Sequence, residues 1–157
     1  MKTARIKTPL GIAELGGDSD GLSYLKILNS DEPVSKEIPS ELKSAADQLA
    51  SYFIGELKDF DLKLNPKGTD FQKMVWNKLL QIPYGKTTSY LELSRALGDE
   101  KAIRAVASAN GKNPLWIIIP CHRVIGSDGS LTGYAGGLHR KKWLLDLENP
   151  PAQRSLF

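Results

Sequence analysis

Apolar positions in the first thirty residues come in short runs cut by prolines and glycines. Ile6, Leu10, Ile12 and Leu15 are separated by Pro9, Gly11 and Gly16-Gly17, a spacing that predicts strands and tight turns. Gly21 to Leu28 alternates in part and predicts another strand, with Leu22, Tyr24 and Ile27 facing inward. Residues 29–39 are polar, hold two prolines and suit a connection. From Ser40 the period lengthens. Leu42, Ala45, Ala46, Leu49, Tyr52 and Phe53 fall on one helical face, with Gly55 near the end. Phe60, Leu62 and Leu64 alternate as one more strand before Asn65-Pro66-Lys67-Gly68 breaks the chain. The domain boundary is placed there, so residues 1–67 form an N-terminal α/β supporting domain with no chemical constellation of its own.

Residues 68–157 form the second domain, helical at first. Thr69-Asp70-Phe71-Gln72 matches a capping box and opens a helix with Met74, Val75, Leu79 and Leu80 on one face. Pro83-Tyr84-Gly85 stops it. Ser89-Tyr90-Leu91-Glu92 is a second capping box, starting a short helix through Leu97 that Gly98 closes. Asp99 can cap a third helix, from about Glu100 to Asn110, with Gly111 as its stop. Short helix, glycine turn and helix make a helix-turn-helix pattern.

The chain has 157 residues, 41% hydrophobic and 25% charged, enough to bury a core without covalent staples. Its longest aliphatic or aromatic run, Leu115 to Ile119, is too short to span a bilayer, so no membrane association is expected. Met1 to Lys7 has basic residues but no apolar block behind it, and one free thiol with no export signal points to the cytoplasm. Charge is unevenly spread. Met1 to Lys67 carries 9 Lys/Arg against 11 Asp/Glu, while Gly68 to Phe157 carries 12 against 7. A basic second half hints at an acidic partner, with nucleic acid the usual candidate.

The single cysteine, Cys121, follows the apolar run and Pro120 and precedes His122 and Arg123. It has no second cysteine with which to form a disulfide or share a zinc ion. Most lone cysteines are small buried hydrophobes. Here, however, Pro120 predicts that the chain leaves a strand at the cysteine, and the neighbouring base and cation are surroundings that favour thiolate. The thiol also borders the loop Gly126-Ser127-Asp128-Gly129-Ser130. These features identify a nucleophile. His122 needs a group on its other ring nitrogen, and Asp128, Asp146 and Glu148 are all candidates by spacing. Adjacent side chains on an extended segment point opposite ways, which leaves room for a bridging water.

The third helix reads Lys101-Ala102-Ile103-Arg104-Ala105-Val106-Ala107-Ser108-Ala109, with Arg104 its single long central side chain. Such a surface reads little sequence and suits the degenerate minor groove, with Arg104 filling the gap left by an extruded base. The competing reading is that the alanines pack against neighbouring helices. A thiol joined to a sequence-indifferent DNA helix suits direct removal of an alkyl group from a damaged base. The thioether formed is a poor leaving group, so the protein would act once. Tyr90 is a candidate donor to the departing base. Tyr134-Ala135-Gly136-Gly137 offers a loop whose glycines admit a flat ring. This chemistry requires the sulfur to be reachable by the extruded base.

Pro120-Cys121-His122-Arg123-Val124, Arg104-Ala105-Val106, Asn113-Pro114, Ser89-Tyr90, Tyr134-Ala135-Gly136-Gly137 and Trp143-Leu144-Leu145 leading to Glu148 together resemble the 6-O-alkylguanine-DNA alkyltransferases. The resemblance spans about Phe71 to Glu148. It implies an α/β (α+β) fold: an N-terminal ribonuclease-H-like α/β domain, then a mostly helical, winged-helix-like DNA-binding domain. It implies stoichiometric, single-turnover transfer from 6-O-methylguanine in double-stranded DNA to Cys121, with 4-O-methylthymine a further candidate. His122 would activate the thiol through water, Glu148 would orient His122, and Asn113 would hold the preceding segment. Tyr90 would assist guanine departure and the turn of its phosphate. Arg104, with Ser89, Lys101 and Ala105 nearby, would contact DNA, and Val124, Tyr134 and Gly136 would border the guanine pocket. A monomer without cofactor is expected. Some relatives bind zinc through N-terminal cysteines, and none is present here, so no metal site is expected. Two rivals stand beside this reading: a non-enzymatic lesion-binding module with an inert thiol, and a thiol hydrolase that turns over.

Overall fold

A computed structural model describes residues 1–150, and the chain forms two compact units, one spanning Met1–Lys67 and one beginning at Gly68. The expected second domain runs to Phe157, and its end, 151–157, lies outside the described residues.

In the first unit, β1 (Lys2–Thr8), β2 (Gly11–Asp18) and β3 (Gly21–Ile27) form an antiparallel sheet in the order β1-β2-β3. Pairing of Thr8 with Gly11 and of Asp18 with Gly21 leaves two-residue hairpin turns, closed by glycines at φ 125° and 132°. Helix α1 (Ser40–Phe53) packs on β1 and β2, and its buried residues are Leu42, Ala45, Ala46, Leu49, Tyr52 and Phe53, the six of the sequence pattern. Two expectations need correction. Tyr24 does not face the core: a bulge at Gly16/Gly17 shifts the register, Leu25 and Ile27 are buried, and the Tyr24 hydroxyl donates to Glu14 Oε2 at 3.0 Å. Phe60 to Leu64 is not a strand. Among the described residues, its sheet-like contact is a single parallel bridge from Leu64 to Leu22.

The second unit opens with α2 (Asp70–Leu79), whose Thr69–Gln72 capping box is fully formed. Its buried side chains are Val75, Trp76 and Leu79, while Met74 and Leu80 are exposed. Trp76 displaces Met74 from the expected face because its indole N–H donates to the buried Ala109 carbonyl at 2.8 Å, tying α2 to the helix-turn-helix. The two-residue strand β4 (Thr88–Ser89) leads into α3 (Tyr90–Ala96), capped by Ser89 Oγ on Glu92 N and followed by Gly98 at φ 91°. Asp99 caps a 3₁₀ turn, Glu100–Ala102, that runs into α4 (Ile103–Gly111). Gly111 is the last helical residue rather than the stop beyond it. A second 3₁₀ turn, Cys121–Arg123, precedes β5 (Val124–Ile125), which pairs in parallel with β4; α5 (Leu138–Glu148) closes the unit. No helix among the described residues is long and apolar enough to cross a membrane.

Candidate active site

The apolar run before the nucleophile is a set of turns, not the expected strand, and Asn113 is the reason. Its buried side chain mimics a strand neighbour: Nδ2 donates to the carbonyls of Ile119 (2.8 Å) and Leu115 (3.3 Å), and Oδ1 accepts from Leu115 N (2.9 Å). Folded round that amide, Ile117 is driven to φ 75°, and Ile118 N bonds Trp116 O at 2.8 Å in a three-residue turn. A β-branched residue in this region is strained, by about 1–3 kcal/mol. Pro120 makes a second such turn, with Cys121 N on Ile119 O at 2.8 Å. The backbone at Cys121 is thus set by side-chain-to-backbone bonds rather than by a sheet.

Cys121 is buried, 3% exposed. Burial pushes its thiol up to about 11, against smaller opposing effects of a hydrogen bond with Asn113 and the charge of Lys141. His122 and Arg123 do not favour a thiolate as expected, because both turn to Glu148. His122 Nε2 lies 2.8 Å from Glu148 Oε2, and Arg123 grips the same carboxylate through Nε (2.7 Å) and Nη2 (3.0 Å). Arg123 Nη1 also donates to Ile82 O, and its guanidinium lies 5.7 Å from the Tyr84 ring centre. Among the three candidate carboxylates, the geometry therefore selects Glu148. Asp128 instead accepts from Ser130 and Asp146 pairs with Lys142.

The electrostatics assign the protons. Burial opposes ionisation of Glu148, but the hydrogen bonds and charges of His122 and Arg123 outweigh it and bring its pKa down to about 2. Burial lowers the pKa of His122, only partly offset by Glu148, so the imidazole is neutral at neutral pH. A carboxylate cannot donate, so Nε2 carries the proton and Nδ1 carries the lone pair. Nδ1 is buried and makes no hydrogen bond among the described residues. An imidazole fixed this way can accept one proton.

Around the thiol stand Tyr90, Tyr134 and Lys141. The Tyr90 hydroxyl, half-buried on α3, donates to Thr132 O at 3.1 Å. Burial raises both tyrosines, and proximity to Cys121 adds to this. Val124 is fully buried on β5. The ring that Gly136 admits is the protein's own: a Cβ there would lie 2.7 Å from the Tyr134 ring and 3.1 Å from Trp116. Trp116 and Tyr134 lie 6.0 Å apart, centre to centre. Lys101, Arg104, Ala105 and Ser108 form an exposed strip on and just before α4, while Val106, Ala109 and Asn110 face inward. Ser89 is partly occupied as the α3 cap.

Lys141 escaped the sequence reading because Arg140-Lys141-Lys142 looks like a solvated charge run. The available signal was spacing: Lys141, Leu144 and Glu148 stand at i, i+3 and i+7 on α5, and all three are buried. Among the described residues, no group of three or more His, Cys, Asp or Glu side chains stands where it could hold a metal ion.

Residues 70–150 match the family model for the 6-O-methylguanine DNA methyltransferase, DNA binding domain. A methylated-DNA–protein-cysteine methyltransferase of Methanosarcina acetivorans is 48% identical over 155 residues, 94% of this chain and 98% of that protein. One from Mycobacterium tuberculosis is 48% identical over 97% of this chain and 96% of its own. The crystal structure of Mycobacterium tuberculosis OGT in complex with DNA superposes with a TM-score of 0.86 at 47% identity, covering 99% of this chain and 98% of that one. An O6-methylguanine DNA methyltransferase from Methanococcus jannaschii gives 0.68 at 28% identity, over 93% of both chains. With the same α/β unit followed by a helix-turn-helix unit, and with the cysteine motif inside the matched region, this chain belongs to the 6-O-methylguanine-DNA methyltransferase family.

Proposed function

We propose that this protein repairs double-stranded DNA by taking the alkyl group of 6-O-methylguanine onto Cys121, one protein molecule being consumed per lesion. The observation that carries the reading is a buried thiol next in sequence to an imidazole whose Nδ1 finds no partner among the described residues, while Nε2 is fixed on a carboxylate. With the thiol near 11 and the histidine neutral, activation is a proton transfer coupled to attack rather than a standing thiolate. The thiol proton passes through a water to His122 Nδ1, and Glu148 stabilises the imidazolium. Sulfur then displaces the methyl carbon: the S–C bond forms, the C–O bond breaks, and its electron pair moves onto guanine O6 and the ring. A proton returns to the base, with the Tyr90 hydroxyl as hydrogen-bond donor.

Val124, Tyr134 and Gly136 border the base. Because Cys121 is 3% exposed, entry of the base requires the loop bearing Tyr134 to admit it. Arg104 fills the gap in the duplex, and Ser89, Lys101 and Ala105 lie along the DNA. The exposed Ala105 and Ser108 beside Arg104 on α4 support close, sequence-indifferent approach, and the relative solved with DNA supports a DNA partner. We place the protein in the cytoplasm as a monomer.

Burial of the thiol is the one feature that favours a non-enzymatic lesion-binding module. Mixing the protein with one equivalent of duplex holding 6-O-methylguanine, then weighing it intact, separates the two. The expected result is one methyl, on the Cys121 peptide, with Cys121→Ala gaining none yet binding DNA normally. No gain by the wild type sinks the transfer reading.

A further inference from the structure

The segment from Gly126 to Gly137 carries Thr132, Gly133, Tyr134 and Gly136, and a buried cation fastens it. Lys141 on α5 is fully buried. Its ammonium has three N–H bonds, and all are used: Nζ donates to the carbonyls of Val124 (2.6 Å), Thr132 (2.7 Å) and Gly133 (3.2 Å). Val124 lies three residues beyond the nucleophile, while Thr132 and Gly133 lead into Tyr134. The Thr132 carbonyl is also the acceptor of the Tyr90 hydroxyl. One side chain therefore joins α5, the strand leaving Cys121, the pocket loop and, through a shared carbonyl, α3.

We propose that Lys141 is a positioning residue for alkyl transfer, clamping the guanine-pocket loop to the strand beyond Cys121 and lending positive charge to the sulfur. The inference rests on the transfer reading above. Burial brings the ammonium down to about 8, with Cys121 pulling the other way, so it stays charged at neutral pH. Its field is among the influences that oppose the rise of the Cys121 thiol. With every donor spent on backbone, it does not protonate the departing base in this arrangement. Its work is geometry and field. An arginine keeps the charge, but its planar fork cannot aim donors at three carbonyls disposed round one tetrahedral nitrogen.

The test compares Lys141→Met and Lys141→Arg with the wild type. Thiol titration is read from the pH dependence of iodoacetamide alkylation without DNA. Single-turnover transfer is read from methylated duplex and from the free modified base, alongside thermal unfolding and DNA affinity. Lys141→Met is expected to raise the thiol midpoint by about one pH unit. Its transfer should slow by roughly 10–100-fold from duplex and free base alike, with DNA affinity unchanged. Lys141→Arg should return the thiol midpoint toward wild type yet remain at least about tenfold slow, because charge is restored and the clamp is not. Transfer by Lys141→Arg within about twofold of wild type overturns the clamp. A folded Lys141→Met whose thiol titrates like wild type overturns the field role. If Lys141→Met does not fold, Lys141→Arg alone decides. Failure of the transfer reading is separate, since it leaves the wild type itself without an added methyl, whereas the iodoacetamide titration needs no DNA.

Discussion

Replacing Glu148 by glutamine removes the charge that balances a buried guanidinium. The Glu148 and Arg123 side chains are 1% and 7% exposed, and the carboxylate accepts from Arg123 at 2.7 and 3.0 Å and from His122 at 2.8 Å. Desolvation alone would raise this carboxyl; His122 and Arg123 reverse that and bring it from 4.5 down to about 2. A group whose folded pKa lies below its unfolded value stabilises the fold above the unfolded value. That contribution is lost as pH falls through the folded value. A fall from 4.5 to about 2 corresponds to about 3 kcal/mol, at the lower end of the roughly 3–5 kcal/mol typical for breaking a buried pair. Glu148→Gln is therefore expected to lose about 3 kcal/mol at pH 7, lowering the urea midpoint by about 1–2 M. The gap between the two proteins should close between pH 4.5 and about 2, where wild-type Glu148 itself becomes neutral. Transfer should fall by roughly 10²–10⁴, because the amide can offer either oxygen or NH₂ to Nε2 and no longer dictates the histidine tautomer. Urea unfolding followed by circular dichroism at pH 7, 5 and 3 checks the first two points, and single-turnover transfer checks the third. A stability gap that is constant from pH 7 to 3 would refute the charge-balance argument, whatever its size.

Arg104→Ala should slow repair of duplex DNA markedly while leaving reaction with the free modified base within about twofold, since only duplex requires extrusion. Equal losses in both assays would remove the intercalating role. Asn113→Ala deletes three buried hydrogen bonds that hold Ile117 at φ 75°, each worth about 1 kcal/mol. Some strain is released in exchange, so about 2–3 kcal/mol of stability should be lost by urea unfolding, and transfer should fall with DNA affinity intact. Wild-type transfer by that variant would mean the turns hold themselves.

The chain's linear pattern was enough for features whose causes are local. Six apolar residues at helical spacing became the buried face of α1, because a period of 3.6 admits one inward stripe. Thr69 with Gln72, and Ser89 with Glu92 N, capped helices because a cap reaches only three residues. Cys121 stood out by its neighbours, and the order of motifs led to the family. Other features depended on which polar partner a residue finds, near or far along the chain, and the apolar pattern does not reveal that. Asn113 turned Leu115 to Ile119 from an expected strand into turns, and Trp76 took the place of Met74 by finding Ala109 O, 33 residues away. Glu148 prevailed over Asp128 and Asp146 only because Arg123 and His122 converge on it from 25 and 26 residues away.

Lys141 marks the limit most clearly. As sequence it is the middle of three basic residues; in the fold its charge is held by carbonyls 8, 9 and 17 residues distant. Composition and spacing determined which chemistry was available: one thiol, one adjacent imidazole, and a basic helical half. Tertiary structure decided the protonation of that chemistry. Whether a thiol rests neutral or a lysine stays charged depends on the solvent removed and the partners supplied, and both are set by chain segments that meet only on folding.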